Sequence, residues 1–237
     1  MSLLDDEDIL SSPVRDIGII LEFITHHYVI HGYKSAYDAY RDRTVRIRQD
    51  NGCVVDVDGH VISNKFMKEA EYLTNGLFRF GSVKSFDVDR CKNLKSLEGG
   101  PEQITGSYMC RQCDSLKNLK GAPKYVDRGF WCDHCKNLES LEGSPSTITD
   151  IFSCSYCNKI KDLKGAPEFV GRLFMCNGCE SLESVNHFPR TLSYAMINIS
   201  GCPKIKRIPK RLLKYDISYI DCSTELNEYI HKNRSSF

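Results

Sequence analysis

Apolar and polar positions along this chain repeat with a period of 22 residues. A cysteine marks the register at Cys91, Cys113, Cys135, Cys157 and Cys179, and the column runs on to Cys202 and Cys222. Three positions earlier stand Val88, Cys110, Cys132, Cys154, Cys176 and Ile199. Two before those come Phe86, Tyr108, Phe130, Phe152, Phe174 and Ile197. Downstream of the marker follow Leu94, Leu116, Leu138, Ile160, Leu182 and Ile205, then Leu97, Leu119, Leu141, Leu163, Val185 and Ile208. A proline closes each unit at Pro101, Pro123, Pro145, Pro167 and Pro189, and beyond it stands Ile104, Val126, Ile148, Val170 or Leu192.

The segment aromatic-x-Cys has a period of two, so both named residues face one side of a short strand. The leucines follow the chain inward. Gly99, Gly121, Gly143 and Gly165 supply permissive backbone angles where it must reverse, and the prolines fix the next ones. One such unit cannot bury its apolar side alone, whereas stacked units bury it against each other. The predicted fold is therefore a solenoid of stacked coils with a parallel β-sheet on one face, α+β overall once its ends are counted.

Both ends carry different patterns. Ser12-Pro13 reads as a helix entry, and Ile17, Ile20, Leu21, Ile24 and Tyr28 recur at helical spacing, which predicts a helix over 13–31. Within it His27 and His31 would share a face at i, i+4, a spacing that can hold a metal but lacks a nearby third ligand. A second short helix is predicted from Ser35, with Tyr37 and Tyr40 on one side. TVRIRQD and CVVDVDG flank Asn51-Gly52, a strong hairpin signal. The expected organisation is a helical segment over 1–45, a β-hairpin and capping coil over 46–84, the repeat array over 85–213 and a C-terminal cap over 214–237.

FxCxxCxxLxxL, with "CDSLKNLKGAPKYV" and "CNKIKDLKGAPEFV", resembles leucine-rich repeats in which cysteine replaces the usual asparagine. More narrowly it is similar to short cysteine-containing repeats of tailed-phage and bacterial proteins. "CVVDVDGHVISNK" looks like the capping strand that precedes such arrays. The resemblance covers roughly residues 46–213. It implies a binding scaffold, phage-encoded as a virion component or host-directed adaptor, and assigns no reaction. Fold alone does not fix function.

The twelve cysteines admit several readings. Four CxxC pairs, from Cys110/Cys113 to Cys176/Cys179, are legitimate half-sites for zinc. Disulfides between coils would need an oxidising setting. Against both, the first cysteine column ends in Val88 and Ile199, which cannot ligate, so buried cysteine there reads as a small hydrophobe. The second column matches the ladder position of leucine-rich repeats, and the resemblance implies that its thiols donate to backbone carbonyls. No bound metal and no cofactor is expected.

Residues between the aromatic and the cysteine should face outward on the concave side, where solenoids usually meet partners. Met109, Trp131 and Met175 lie in that column, with Arg111 and Asp133 in the next outward one and His134 and Tyr156 beside it. Exposed aromatic, Met and Arg residues make interface hot spots. These seven are the candidate partner-binding residues, although Trp131, the chain's single tryptophan, could instead fold over the sheet. In the charge columns, Glu98, Lys120, Glu142 and Lys164 alternate in sign from coil to coil, which suggests a register device.

Lys204, Lys206, Arg207, Lys210, Arg211 and Lys214 form a basic run without an acid, a candidate patch for phosphate or an acidic protein. It has no interleaved aromatic, which disfavours nucleic acid there. The net charge of +1 gives no global pull toward nucleic acid or membrane. No apolar run reaches the roughly 18 residues of a membrane span. The segment MSLLDDEDIL is acidic where a signal peptide would be basic, so a cytoplasmic protein is expected, in a host cytosol or a virion. No Gly-rich phosphate loop, paired carboxylates or Ser/His/Asp constellation stands out. The expectation is a non-enzymatic scaffold with a protein partner, the zinc-binding and nucleic-acid readings standing as alternatives.

Overall fold

In the computed structural model, which describes residues 12–193, 196–218 and 221–234, each repeat unit forms one coil of a β-solenoid. The acidic stretch over 1–10 lies outside the described residues.

The N-terminal end holds α1 (Ser12–His27), β1 (Tyr28–Ile30), α2 (Ala36–Arg41), β2 (Val45–Gln49) and β3 (Cys53–Ser63). Ser35 caps α2, its Oγ accepting from the Asp38 N–H. Asn51 and Gly52 take left-handed φ values of 48° and 109° and close the expected hairpin. β2 pairs antiparallel with the first half of β3, and β1 with its last residues. The outer edge of β3 is thus covered, removing a strand edge that would otherwise recruit another chain. β3 pairs in parallel with β4 (Arg79–Asp87), so the first coil takes in residues of the expected capping segment.

Each later coil gives two short strands. They are β5 (Gln103–Ile104) and β6 (Tyr108–Met109), β7 (Tyr125–Val126) and β8 (Phe130–Trp131), β9 (Thr147–Ile148) and β10 (Ile151–Ser153), β11 (Phe169–Val170) and β12 (Leu173–Met175), then β13 (Thr191–Leu192) and β14 (Met196–Asn198). The second strands stack in parallel from β4 through β14 and end at β15 (Ile217–Ser218). The first strands stack as another parallel ladder on the same β4. The sequence predicts one sheet. The second ladder is the column Ile104, Val126, Ile148, Val170 and Leu192, whose regular spacing marked it as apolar but not as a strand.

Inside, Phe86, Tyr108, Phe130, Phe152 and Phe174 form a continuous ring ladder, with successive centroids 5.4, 5.1, 6.0 and 5.1 Å apart. All five are fully buried, as are Leu94 to Leu182 and Leu97 to Leu163 in the columns beside them. Each such side chain contributes about 1.5–3 kcal/mol of transfer free energy. The expected register device does not form as written. Among the described residues, the ion pairs that join successive coils include Arg111–Asp89, Lys136–Asp114, Arg172–Asp150 and Lys204–Glu183 instead.

Cysteine serves the stack in two ways. The thiols of Cys113, Cys135, Cys157 and Cys179 donate to the carbonyls of Val88, Cys110, Cys132 and Cys154, one coil back, at 3.2–3.3 Å. Cys202 and Cys222 continue the series to Cys176 and Ile199. From Cys113 onward, each marker cysteine therefore ties its coil to the first cysteine column of the previous one. None of the twelve cysteines is joined in a disulfide. Burial pushes Cys91 up to about 11 and Cys202 up to about 12, and raises Cys110 and Cys132 well above the ordinary range. We predict that Ellman's reagent reacts rapidly with at most Cys53 and Cys222 in the native chain, the two half-exposed thiols. The other ten should react only on unfolding; prompt modification of Cys135 would refute their burial.

At the far end α3 (Thr224–Arg234) buries Leu226 and Ile230. The Tyr215 hydroxyl donates to the Leu192 carbonyl. Among the described residues no helix is long and apolar enough to cross a membrane.

Helix α1 ends four residues earlier than its apolar spacing predicts. Tyr28, Val29 and Ile30 alternate buried, exposed, buried, and β3 offers them a ladder, so pairing overrides helical propensity. His27 and His31 consequently share no helix face. His27 stacks on Phe23 at 4.0 Å, and burial lowers its pKa; His31 lies edge-on to His60 at 6.1 Å.

Candidate functional site

The outer face of the β6–β14 ladder carries a cleft of ≈ 460 Å³ over its central coils. Its floor is Ser153 and Ser155, only 1% and 5% exposed although their positions point outward. They are short, and their neighbours are tall. Arg111, Asp133, His134, Tyr156, Met175 and Asn177 stand around them as walls.

Hydrogen bonds hold this relief in place. The Asp89 carboxylate accepts from the Arg111 N–H and from Arg111 Nε, both at 2.7 Å. One row on, the Asp133 carboxylate accepts from the Ser155 N–H at 2.8 Å and from the Ser153 hydroxyl. The Ser155 hydroxyl donates to Asn177 Oδ1 at 2.6 Å. At the near end, burial raises the carboxyl pKa of Asp87, whose oxygen accepts from the Asp89 N–H.

The rim is set by backbone conformation. The residue before each marker cysteine has a left-handed φ: 63° at Arg90, 57° at Gln112, 59° at His134, 59° at Tyr156, 68° at Gly178, 69° at Gly201 and 58° at Asp221. Its N–H bonds forward to the next coil, as from His134 to Ser155 at 2.8 Å and from Tyr156 to Asn177 at 2.9 Å. The turn is thus common to the array and favours glycine, since a side chain there costs about 1–2 kcal/mol. Gly178 and Gly201 meet that preference, whereas Arg90, Gln112, His134 and Tyr156 do not. The His134 and Tyr156 rings stack at 4.6 Å and 7°, and Tyr156, 48% exposed, lies against the open face of Gly178.

Of the seven candidate residues, the cleft brings together Arg111, Asp133, His134, Tyr156 and Met175. Met109 and Trp131 are half-buried beside it. Trp131 lies across the backbone of Gly129, where a Cβ would overlap the indole ring, and Met109 Sδ meets an Arg111 guanidinium nitrogen at 3.9 Å. The tryptophan thus flattens onto the sheet and presents one face. Sequence reasoning passed over the serine floor and the left-handed rim. The recurrence of glycine at 178 and 201 in the column of His134 and Tyr156 was the signal for the rim.

The basic run does not form one patch. Arg211 donates to the Phe188 and Pro189 carbonyls at 2.7 and 2.8 Å and so fastens the last coil. Lys206 and Lys204 pair with Glu225 and Glu183 at 3.3 and 3.9 Å. Lys214 lies over the Tyr215 ring. Arg207 shares the cleft of Lys204 and Lys206, whereas Lys210 sits in a short 3-10 turn. No group of three or more His, Cys, Asp or Glu among the described residues is arranged to hold a metal ion. Comparison of the chain with protein-family models, curated proteins and solved structures finds no match.

Proposed function

We propose that the chain is a non-enzymatic binding scaffold that docks a protein partner on the outer face of the β6–β14 ladder, over the cleft walled by Arg111, His134, Tyr156 and Met175. The observation that carries this reading is the left-handed rim. Four large side chains occupy turns where glycine is easier, at about 1–2 kcal/mol each, and two of them stack into an exposed aromatic wall. The stacking of His134 on Tyr156 offsets part of that cost, and a docking surface gives a reason to keep the rest. Trp131 and Met109 add apolar area beside the cleft. The resemblance of the repeat to tailed-phage proteins supports a virion component or a host-directed adaptor as the setting.

Affinity capture with the full chain tests this, comparing wild type with Trp131→Ala and Tyr156→Gly. Both variants should unfold within about 1 kcal/mol of wild type, Tyr156→Gly because the relieved backbone offsets the lost stacking. A protein retained by the wild type should bind Trp131→Ala more weakly by about 2 kcal/mol or more. Equal retention by all three chains would remove this face from consideration.

A further inference from the structure

A second surface lies outside the coils, at the N-terminal end. α2 and β2 enclose a cleft of ≈ 590 Å³ lined by Tyr37, Tyr40, Arg41, Arg43, Arg46 and Ile47, with buried Val45 beneath, and no acid lines it. The tyrosines are 44% and 38% exposed and stand one helical turn apart. The Tyr37 hydroxyl donates to the Gly18 carbonyl at 3.0 Å, which fixes that ring while leaving its face open.

The arginines separate into two kinds. Arg48, also on β2, is held by Asp50 and Asp56 at 3.0 and 2.9 Å. Arg41, Arg43 and Arg46 have no ion-pair partner within 4.0 Å among the described residues. Asp56 faces Arg46 across the ladder, but its carboxylate already serves Arg48 and the Ser82 N–H. Arg46 Nη1 donates only to the Arg43 carbonyl, at 3.4 Å. Arg43 is placed unusually: it follows α2 at φ 63°, where helices ordinarily end on glycine. As on the strand rim, a long side chain is kept at a position whose backbone disfavours it, and here it is a cation.

We infer that this cleft binds single-stranded nucleic acid, with bases stacked on Tyr37 and Tyr40 and the phosphate backbone along Arg41, Arg43 and Arg46. Stacking needs exposed ring faces, and phosphate needs unpaired guanidinium groups. An acidic peptide would use the arginines and leave the rings idle. The basic run over 204–214 lacks the rings and has acids paired to its first lysines. The cleft shares no residue with the strand-face site, so each reading stands or falls alone.

Fluorescence anisotropy of the full chain with labelled 12-nucleotide oligo-U and oligo-dT tests the inference. Saturable binding is expected, with log affinity falling against log salt at a slope of about −2, three phosphates at roughly −0.7 each. Tyr40→Ala should weaken binding about tenfold, a typical loss for one stacked base. Arg43→Gly should weaken it and flatten the salt slope by about 0.7, while unfolding no more easily than wild type because its backbone strain is relieved. A Lys204→Gln, Lys206→Gln, Arg207→Gln triple variant should bind as wild type does. A preference for oligo-U over oligo-dT would assign the site to RNA, and equal binding to single strands generally; either outcome supports it. The inference is overturned if neither oligonucleotide binds, if Tyr40→Ala and Arg43→Gly bind normally, if duplex DNA binds as tightly as the single strands, or if poly-glutamate competes as effectively as unlabelled oligo-U.

Discussion

Replacing Gly143 with alanine is expected to destabilise the chain by about 2–5 kcal/mol, from a left-handed φ penalty of about 1–2 and an overpacking cost of about 1–3. Gly143 has φ 89°, and a Cβ there would come within 2.6 Å of Lys120 N and Cα and 2.7 Å of the Leu119 carbonyl carbon. Those atoms are backbone of the preceding coil, so no rotamer change can clear them. Gly121 and Gly165 meet their preceding coils in the same way. The stack is therefore spaced by glycine at this corner, and one methyl would pry two coils apart. Because each coil touches only its neighbours, loss of one interface removes coupling along the array as well as local contacts. Gly52→Ala is the matched control: its φ is 109°, but nothing lies within 4 Å of the added carbon. It should cost about 1 kcal/mol. Urea unfolding followed by circular dichroism measures both. Equal shifts for the two variants would mean the coils are not in backbone contact at Gly143.

How much of this was legible in the sequence depends on what each residue type reports. The columns Phe86 to Phe174 and Leu94 to Leu182 predicted the inward face correctly, because burial on a period-two strand leaves a direct compositional trace. The marker cysteines were readable as thiol donors only through the resemblance to the leucine-rich-repeat ladder position, because an uncharged column by itself fits plain apolar packing equally well. The corner between the two ladders was not readable. Strands of two or three residues, such as Gln103–Ile104, are too short to show alternation. The end of α1 at His27 was missed because Tyr28 and Ile30 suit a helix face and a strand face equally, and only the partner strand decides. At the candidate site the outward columns were legible, but the relief was not. Ser153 and Ser155 become a floor only through the heights of Tyr156, Met175 and Asn177 around them. Side-chain height along a coil-to-coil row is a property of the stack, not of one repeat.

The aromatic ladder supplies the second large effect, and with it a change of opposite sign one coil away. Phe130→Ala should cost about 3–5 kcal/mol, since the ring is fully buried and stacks on Tyr108 at 5.1 Å and on Phe152 at 6.0 Å. A cavity there opens on both neighbouring coils, and the closely spaced backbones cannot collapse to fill it. Tyr108 stands in the same column, but its hydroxyl is buried without a hydrogen-bond partner. Burial also pushes its pKa well above the usual tyrosine range, so the group is held as a neutral phenol. An unsatisfied buried hydroxyl costs about 1–3 kcal/mol. Tyr108→Phe keeps the ring and its stacking on Phe86 and Phe130, removes only that oxygen, and should stabilise the chain by a similar amount. Thermal and urea midpoints of the two variants give the signs directly. A destabilised Tyr108→Phe chain would mean that the hydroxyl is satisfied in solution, by a buried water or a shifted carbonyl, and that this rung of the ladder is polar by need.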